Sequence, residues 1–309
     1  MINQKHERAL YAQIARKLNP EGELREYRAL TGGVSASTTY IEVAARDGAI
    51  SRYVVRQHGE ADLRRDADIA RHEFELLQLL KQHGVSVAQP VYYDQSSAIL
   101  SGPYIVAAYL EGSAELQPKQ AVPYAGQLGS QLAAIHRVAV SRSELPFLAD
   151  MYDVMANKLR SAPEQLDDSL SEGIIREALL QGWPNMHRNE DGILHGDYWP
   201  GNVLWKDGSI AAVLDWEDAA WGDPLSDVGN ARLELLWVCG EEAMEAFTRQ
   251  YQTEMPHLAY GGLSYWDLCA ALRPASRLSS WGLEPEVERI MRERHAGFVN
   301  RALANRHNV

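Results

Sequence analysis

Cysteine is scarce. Cys239 and Cys269 are the only two in 309 residues, too few for a disulfide framework, and they do not form a CxxC pair. They read as buried free thiols in a reducing compartment. Long hydrophobic runs are missing too. The longest, Tyr104 to Leu110, is far too short to cross a bilayer. The first residues, MINQKHERALYAQIARKL, are charged throughout and lack the apolar core of a signal peptide. The expectation is a cytoplasmic protein with no membrane partner. No GxxxxGK[ST] segment occurs, which excludes a Walker-type ATPase. Neither a repeat of fixed period nor a low-complexity tract is present. Positive charge is also in short supply. Thirty Lys and Arg face 42 Asp and Glu, a net charge of −12, which argues against nucleic acid as the main partner because a phosphate backbone wants a basic surface.

What is present describes an ordinary soluble protein, with 46% apolar and 23% charged residues. At ~150 residues per domain the length suggests two domains or one large two-lobed one. Charge separates along the chain. Residues 1–112 hold 13 basic and 14 acidic residues, and the remainder holds 17 and 28.

The first ~110 residues read as strands with one strong helix, and the rest is mainly helical. TTYIEVAARDGAISRYVVRQ (38–57) is two β-rich runs around Asp47-Gly48, a hairpin signal. A helix is expected from about Asp66 to His83, closed by Gly84, with an apolar stripe of Ile69, Leu76, Leu77 and Leu80. Glu73 falls on that stripe, and an inward carboxylate needs a cationic partner. A strand over 103–110 leads to Glu111-Gly112, where the boundary is set. The expected domains are 1–110 and 111–309. Helical patterns follow near 122–139, 150–160, 167–182 and 226–306, interrupted by a β-rich island at 193–224.

Three short strands are legible around that island: Gly192–His195, Val203–Trp205 and Ile210–Asp215, the last two joined by the turn Lys206-Asp207-Gly208. The hairpin is expected to fold Asp215 back beside the loop 195–202, so that Asp197, Asn202 and Asp215 converge. Moving a γ-phosphoryl group needs a divalent cation on the phosphates and a carboxylate to take the proton of the attacking hydroxyl. Protein kinases set a base Asp, an Asn five positions later and a second, metal-binding Asp after a strand. Asn202 stands five after Asp197, and Asp215 ends the next hairpin.

HGDYWPGN followed by VLDWEDAAWGDPLSDVG resembles the signature of the aminoglycoside phosphotransferase and choline kinase-like family. The likeness runs through nearly the whole chain. LTGGVSASTTY is similar to that family's phosphate-loop region, HEFELLQLLKQHGVSVAQPV to its first helix, and YIVAAYLEG to its hinge. The resemblance implies an α+β, bilobal protein-kinase-like fold, with a small β-rich nucleotide-binding lobe and a larger helical lobe for catalysis and acceptor binding. It implies Asp197 as the base and Asn202 with Asp215 as ligands of Mg2+ on ATP or GTP. It also implies Glu73 paired with a basic residue of the preceding strand, and the backbone of Ala108, Tyr109 and Leu110 against adenine. The family's usual basic residue there is Lys; here it is Arg56, which keeps the charge with a different geometry.

The remaining features divide between chemistry and support. Gly32-Gly33 before a hairpin, with Ser35 and Ser37 as donors, reads as a phosphate cradle. His195 reads as a loop-orienting residue, because the adjacent Asp already fills the base role. His136 on an apolar helix face reads as a satisfied core histidine. Asp223 and Asp227, in GDPLSDVG, read as helix cap and loop brace. Tyr198, Trp199, Glu217 and Trp221 are candidates for the acceptor site, with Trp216 as a further aromatic wall. The acidic second part is either a solvated surface or a field that gathers a cationic acceptor. A small-molecule hydroxyl acceptor leads. Two rivals stand beside it: a metal-bound phosphoesterase using His195, Asp197, Asp215 and Asp223, and a silent nucleotide-binding module marked by Arg56. A protein acceptor is disfavoured, because only seven residues separate Asp215 from Asp223-Pro224.

Overall fold

A computed structural model describes residues 4–30 and 36–306. The chain forms two compact units. One comprises residues 1–112 and 211–217, the other 113–210 and 218–309. The segment 211–217 returns to the first unit, which a single cut at residue 110 does not anticipate.

The N-terminal unit holds α1 (Gln4–Leu18), β1 (Glu23–Ala29), β2 (Ser37–Ala44), β3 (Ile50–Gln57), α2 (Glu60–Arg65), α3 (Ile69–Gln82), β4 (Pro90–Asp94) and β5 (Tyr104–Ala108). Its five strands pair antiparallel in the order β1-β2-β3-β5-β4. Tyr11, Ile14 and Ala15 of α1 pack on Leu24, Ile41, Val43, Val55 and Val106, which alternate to one face of the sheet. The expected hairpin forms around Asp47, whose carboxylate accepts from the Ala49 amide and braces the turn. Helix α3 begins at Ile69, three residues later than the pattern suggested. Asp66 is extended, ends α2, and accepts from the Asp68 amide ahead of the new helix. Gly84, at φ 79°, follows α3 in the left-handed conformation that a helix end favours.

The C-terminal unit is mainly helical. It contains α4 (Ala121–His136), β6 (Ala149–Asp150), α5 (Met151–Arg160), α6 (Glu172–Gly182), β7 (Gly192–Leu194), β8 (Val203–Lys206), the start of β9 (Ser209–Val213), β10 (Ala220–Gly222), α7 (Leu225–Cys239), α8 (Glu241–Glu254), α9 (Leu263–Ala271) and α10 (Pro285–Asn305). Helix α7 is the hub. It is buried nearly all round, as a helix enclosed by others must be, and α8, α9 and α10 pack about it. Asp207 and Gly208 both take positive φ in the tight turn before β9. Strand β10 was not expected; it joins β6 and β7 through pairs only two or three residues long. Among the described residues, no helix is long and apolar enough to cross a membrane.

Candidate active site

In the N-terminal unit, the sheet and α3 bring together the charged groups the sequence singled out. Arg56 on β3 gives Nη1 to Glu73 Oε2 at 2.9 Å and Nη2 to Asp215 Oδ1 at 2.6 Å, and also donates to Glu217 Oε2. One guanidinium therefore serves three carboxylates. Burial works against its charge, but Glu73, Asp215 and Glu217 together raise its pKa above the ordinary arginine value. Burial alone would also push the Glu73 carboxyl up. Arg56, with His58 behind it, outweighs that and holds Glu73 down at about 2. His58 is itself buried, and its Nε2 approaches Glu73 Oε2 to 3.2 Å without the alignment of a hydrogen bond. Asp215 sits at φ 65°, a left-handed conformation that only a well-braced non-glycine residue keeps.

The end of β5 carries the predicted hinge. Ala108 N–H donates to Gln89 O and Tyr109 N–H to Arg52 O. Of the three hinge amides, only the Leu110 N–H makes no hydrogen bond among the described residues. Ser37 is exposed at the head of β2, paired with Gln57. Gly32, Gly33 and Ser35 lie outside the described residues.

In the C-terminal unit, the loop after β7 is fixed from below. Asp227 of α7 accepts from the His195 amide at 2.6 Å and from the Gly196 amide at 2.9 Å. His136 Nε2 lies 3.2 Å from the same carboxylate, and its Nδ1 is 2.6 Å from the Tyr251 hydroxyl. Burial works against the charge of Asp227, but His136 and the His195 amide bring its pKa below the ordinary value. Gly196 sits at φ 81°, and a Cβ there would stand 1.9 Å from Asp218 O, so no other residue fits. His195 is fully buried and its Nδ1 accepts from the Asp197 amide at 3.2 Å, which fits the orienting role expected of it. Asp223 accepts from the Asn189 and Leu225 amides, bracing a loop and starting α7.

Asp197 stands on this loop. Asn202 Nδ2 donates to its carbonyl at 3.0 Å and lies 3.4 Å from Oδ2, while Arg273 Nη2 donates to Oδ1 at 2.7 Å. Arg273 Nη1 also holds the Gly196 carbonyl at 2.7 Å. The Asp197 carboxylate is thus held from two sides, yet its side chain stays 33% exposed.

Three acceptor candidates do not stand as expected. Tyr198 is buried, with its hydroxyl donating to Leu128 O, so it belongs to the core. Trp221 is buried in β10, with the Arg142 guanidinium 5.9 Å from its ring centre. Glu217 belongs to the N-terminal unit, where its carboxylate is engaged by Arg56. Trp216 is likewise buried, and its indole N–H donates to Val213 O. Trp199 remains half-buried, its indole ring lying against Gly201.

Sequence reasoning missed Arg273, which lies 76 positions from Asp197 in a turn without a motif. It also missed Glu234 on α7. Burial and the nearby Asp197 raise this carboxyl to about 8, with Arg273 opposing them. Glu234 retains some surface exposure, but its protein surroundings dominate. An open groove of about 700 Å³ between α4 and α8, lined by Val122, Gln127, Arg249 and Thr253, contains none of these groups.

The oxygen donors suit a hard divalent cation. Asp215, with a side chain 36% exposed, is the most open of the carboxylates around Arg56. Asn202 uses its amide nitrogen on Asp197. Among the described residues, no group of three or more His, Cys, Asp or Glu side chains is placed to hold a metal by itself. His195 and Asp223 are engaged in bracing.

A family model described as the phosphotransferase enzyme family matches residues 26–261. Homoserine kinase of Phenylobacterium zucineum (strain HLK1) is 26% identical over 234 residues, covering 68% of each protein. Acyl-CoA dehydrogenase family member 10 of Mus musculus is 24% identical over 235 residues, which cover 72% of this chain but only 22% of that protein. Amicoumacin kinase hAmiN, solved in complex with AMP-PNP, Ca2+ and Ami, matches with a TM-score of 0.64 at 17% identity, covering 97% of this chain and 96% of that one. Likeness at that identity establishes the fold, which is protein-kinase-like with a small antiparallel sheet and a mainly helical C-terminal part. The chain belongs to the phosphotransferase enzyme family and is a small-molecule kinase with a hydroxyl acceptor.

Proposed function

We propose that the protein transfers the γ-phosphoryl group of ATP or GTP, with Mg2+, to a hydroxyl of a small molecule. Residues 1–110 bind the nucleotide and residues 111–309 supply the base and the acceptor site. Asp197 accepts the proton of the attacking hydroxyl, a contribution of ~10²–10⁴-fold for a positioned base. Asn202 and Asp215 hold the cation, which neutralises charge on the phosphates. Arg56 contacts the α- and β-phosphates, and Glu73 orients it. The Leu110 amide meets the adenine, and Gly32, Gly33, Ser35 and Ser37 contribute to the phosphate cradle.

The observation that carries this reading is the bonded series Glu73–Arg56–Asp215. It joins Glu73, Arg56 and Asp215 in one set, which supports assigning them as orienting carboxylate, phosphate contact and metal ligand in phosphoryl transfer. The replacement of Lys by Arg supports retained activity, because the guanidinium reaches Glu73 and Asp215 on separate nitrogens. The test is nucleoside diphosphate release with Mg2+ and ATP or GTP, across a panel of hydroxylated acceptors, for wild type and Asp197→Asn. Release that needs one acceptor and Asp197 is expected. Equal release by both proteins would sink the assignment.

A further inference from the structure

His58 is buried in the N-terminal unit and stands outside the chemistry described so far. It follows β3, two positions beyond Arg56, and its amide donates to Pro103 O at 3.1 Å. The extended chain turns both side chains to one face, where both meet Glu73 of α3. The imidazole has no exposed surface, and neither ring nitrogen makes a hydrogen bond among the described residues. A buried polar group without a partner costs free energy, so its place in the fold needs a reason.

Glu73 supplies that reason. Nε2 of His58 stands 3.2 Å from Glu73 Oε2, the oxygen that also accepts from Arg56 Nη1 at 2.9 Å. A bare ring nitrogen there would set its lone pair against a carboxylate, so Nε2 is the nitrogen that carries a proton. A turn of the ring would align that N–H on Oε2. Arg56, meanwhile, is heavily committed: Nη1 serves Glu73, and Nη2 serves Asp215 and Glu217. To take up phosphate oxygens the guanidinium must loosen some of these bonds. Glu73 is the most enclosed of the three carboxylates, its side chain 6% exposed, and without Arg56 it would become an unpaired buried charge. A second donor already waits at the same oxygen. We propose that His58 is a positioning residue for the kinase reaction, its Nε2–H holding the Glu73 carboxylate when Arg56 turns toward the nucleotide phosphates. This rests on the kinase reading above and adds a residue to its nucleotide site.

The probes are ADP and GDP with Mg2+, and the matching nucleosides adenosine and guanosine. Affinities are measured by calorimetry for wild type, His58→Leu and His58→Gln, with denaturant unfolding as the check on folding. His58→Leu should weaken the better-bound diphosphate about tenfold, the worth of one lost hydrogen bond to a charged group, and leave its nucleoside nearly unchanged. His58→Gln, whose side-chain amide offers an N–H at similar reach, should recover most of the diphosphate affinity. Equal losses on diphosphate and nucleoside, or no recovery in His58→Gln, would overturn the proposal. The ring gives a second measurement that does not depend on His58→Leu folding. Long-range 1H–15N spectra of wild type labelled at histidine should place a proton on Nε2 of His58, with His58→Gln identifying its signals, and Glu73→Gln should shift them. A bare Nε2, or signals indifferent to Glu73→Gln, would equally overturn it. Wild type that binds neither diphosphate while showing the expected ring signals would uphold the contact between His58 and Glu73 and defeat the kinase reading instead.

Discussion

In the N-terminal unit three carboxylates surround one guanidinium, whereas in the C-terminal unit one guanidinium holds one carboxylate. Glu73, Asp215 and Glu217 against Arg56 leave a formal charge of −2. Arg273 against Asp197, with Glu234 protonated, is neutral. Two glutamates register the contrast: Glu73 is held at about 2, and Glu234 is pushed to about 8. Both feel burial as the leading influence against their charge, and only their neighbours separate them. The first half is short of positive charge, which Mg2+ supplies in the proposed reaction. The second is already balanced.

The largest effect expected from breaking this contrast is on turnover. Asp197→Asn should lower kcat by ~10²–10⁴-fold while nucleotide affinity stays near wild type. Arg56→Met attacks the other half. It strands three carboxylates around a vacated centre, and breaking such a buried set costs ~3–5 kcal/mol. Denaturant unfolding should show that loss, and nucleotide titration should show weakened binding. Arg56→Lys should recover charge but not the separate bonds to Glu73 and Asp215, and should fall between wild type and Arg56→Met. Gly196→Ala tests the loop shared by Asp197 and Arg273. A methyl group at positive φ, 1.9 Å from Asp218 O, should cost about 2–5 kcal/mol in unfolding measurements.

The smallest effects are those of pH. Glu73 has a depressed pKa, so its stabilisation is complete above the ordinary value of 4.5 and fades as pH falls toward 2. Glu234 has a raised pKa, so its protonated form favours the fold and stability is lost as pH rises from 4.5 through 8. Glu234→Gln should therefore melt higher than wild type above pH 8, with the gap closing as pH falls toward 4.5. A gap that widens toward acid would mean the carboxylate is stabilised by Arg273.

The contact between Asp197 and Asn202 was legible because a short loop fixes their spacing locally. Arg56 and Glu73 were legible as a pair, since a buried carboxylate on an apolar helix stripe demands a cation and the neighbouring strand offers one. Arg273 was not legible. Nothing local distinguishes it from a solvated surface charge, and only the packing of distant segments brings it beside Asp197. Tyr198 and Trp221 misled because an aromatic next to a catalytic motif serves equally well as its floor or its wall, and burial alone decides which. The overall −11 of residues 113–309 was uninformative for a similar reason, because the charged side chain bonded to Asp197, Arg273, has the opposite sign.

The return of residues 211–217 to the N-terminal unit has a consequence for how the protein is divided or recombined. The polypeptide passes between its two compact units three times. A gene fragment encoding residues 1–112 would omit Asp215 and Glu217 and leave Arg56 with Glu73 as its remaining acidic partner. Exchange of the N-terminal unit between family members therefore needs two grafted pieces, the second only seven residues long.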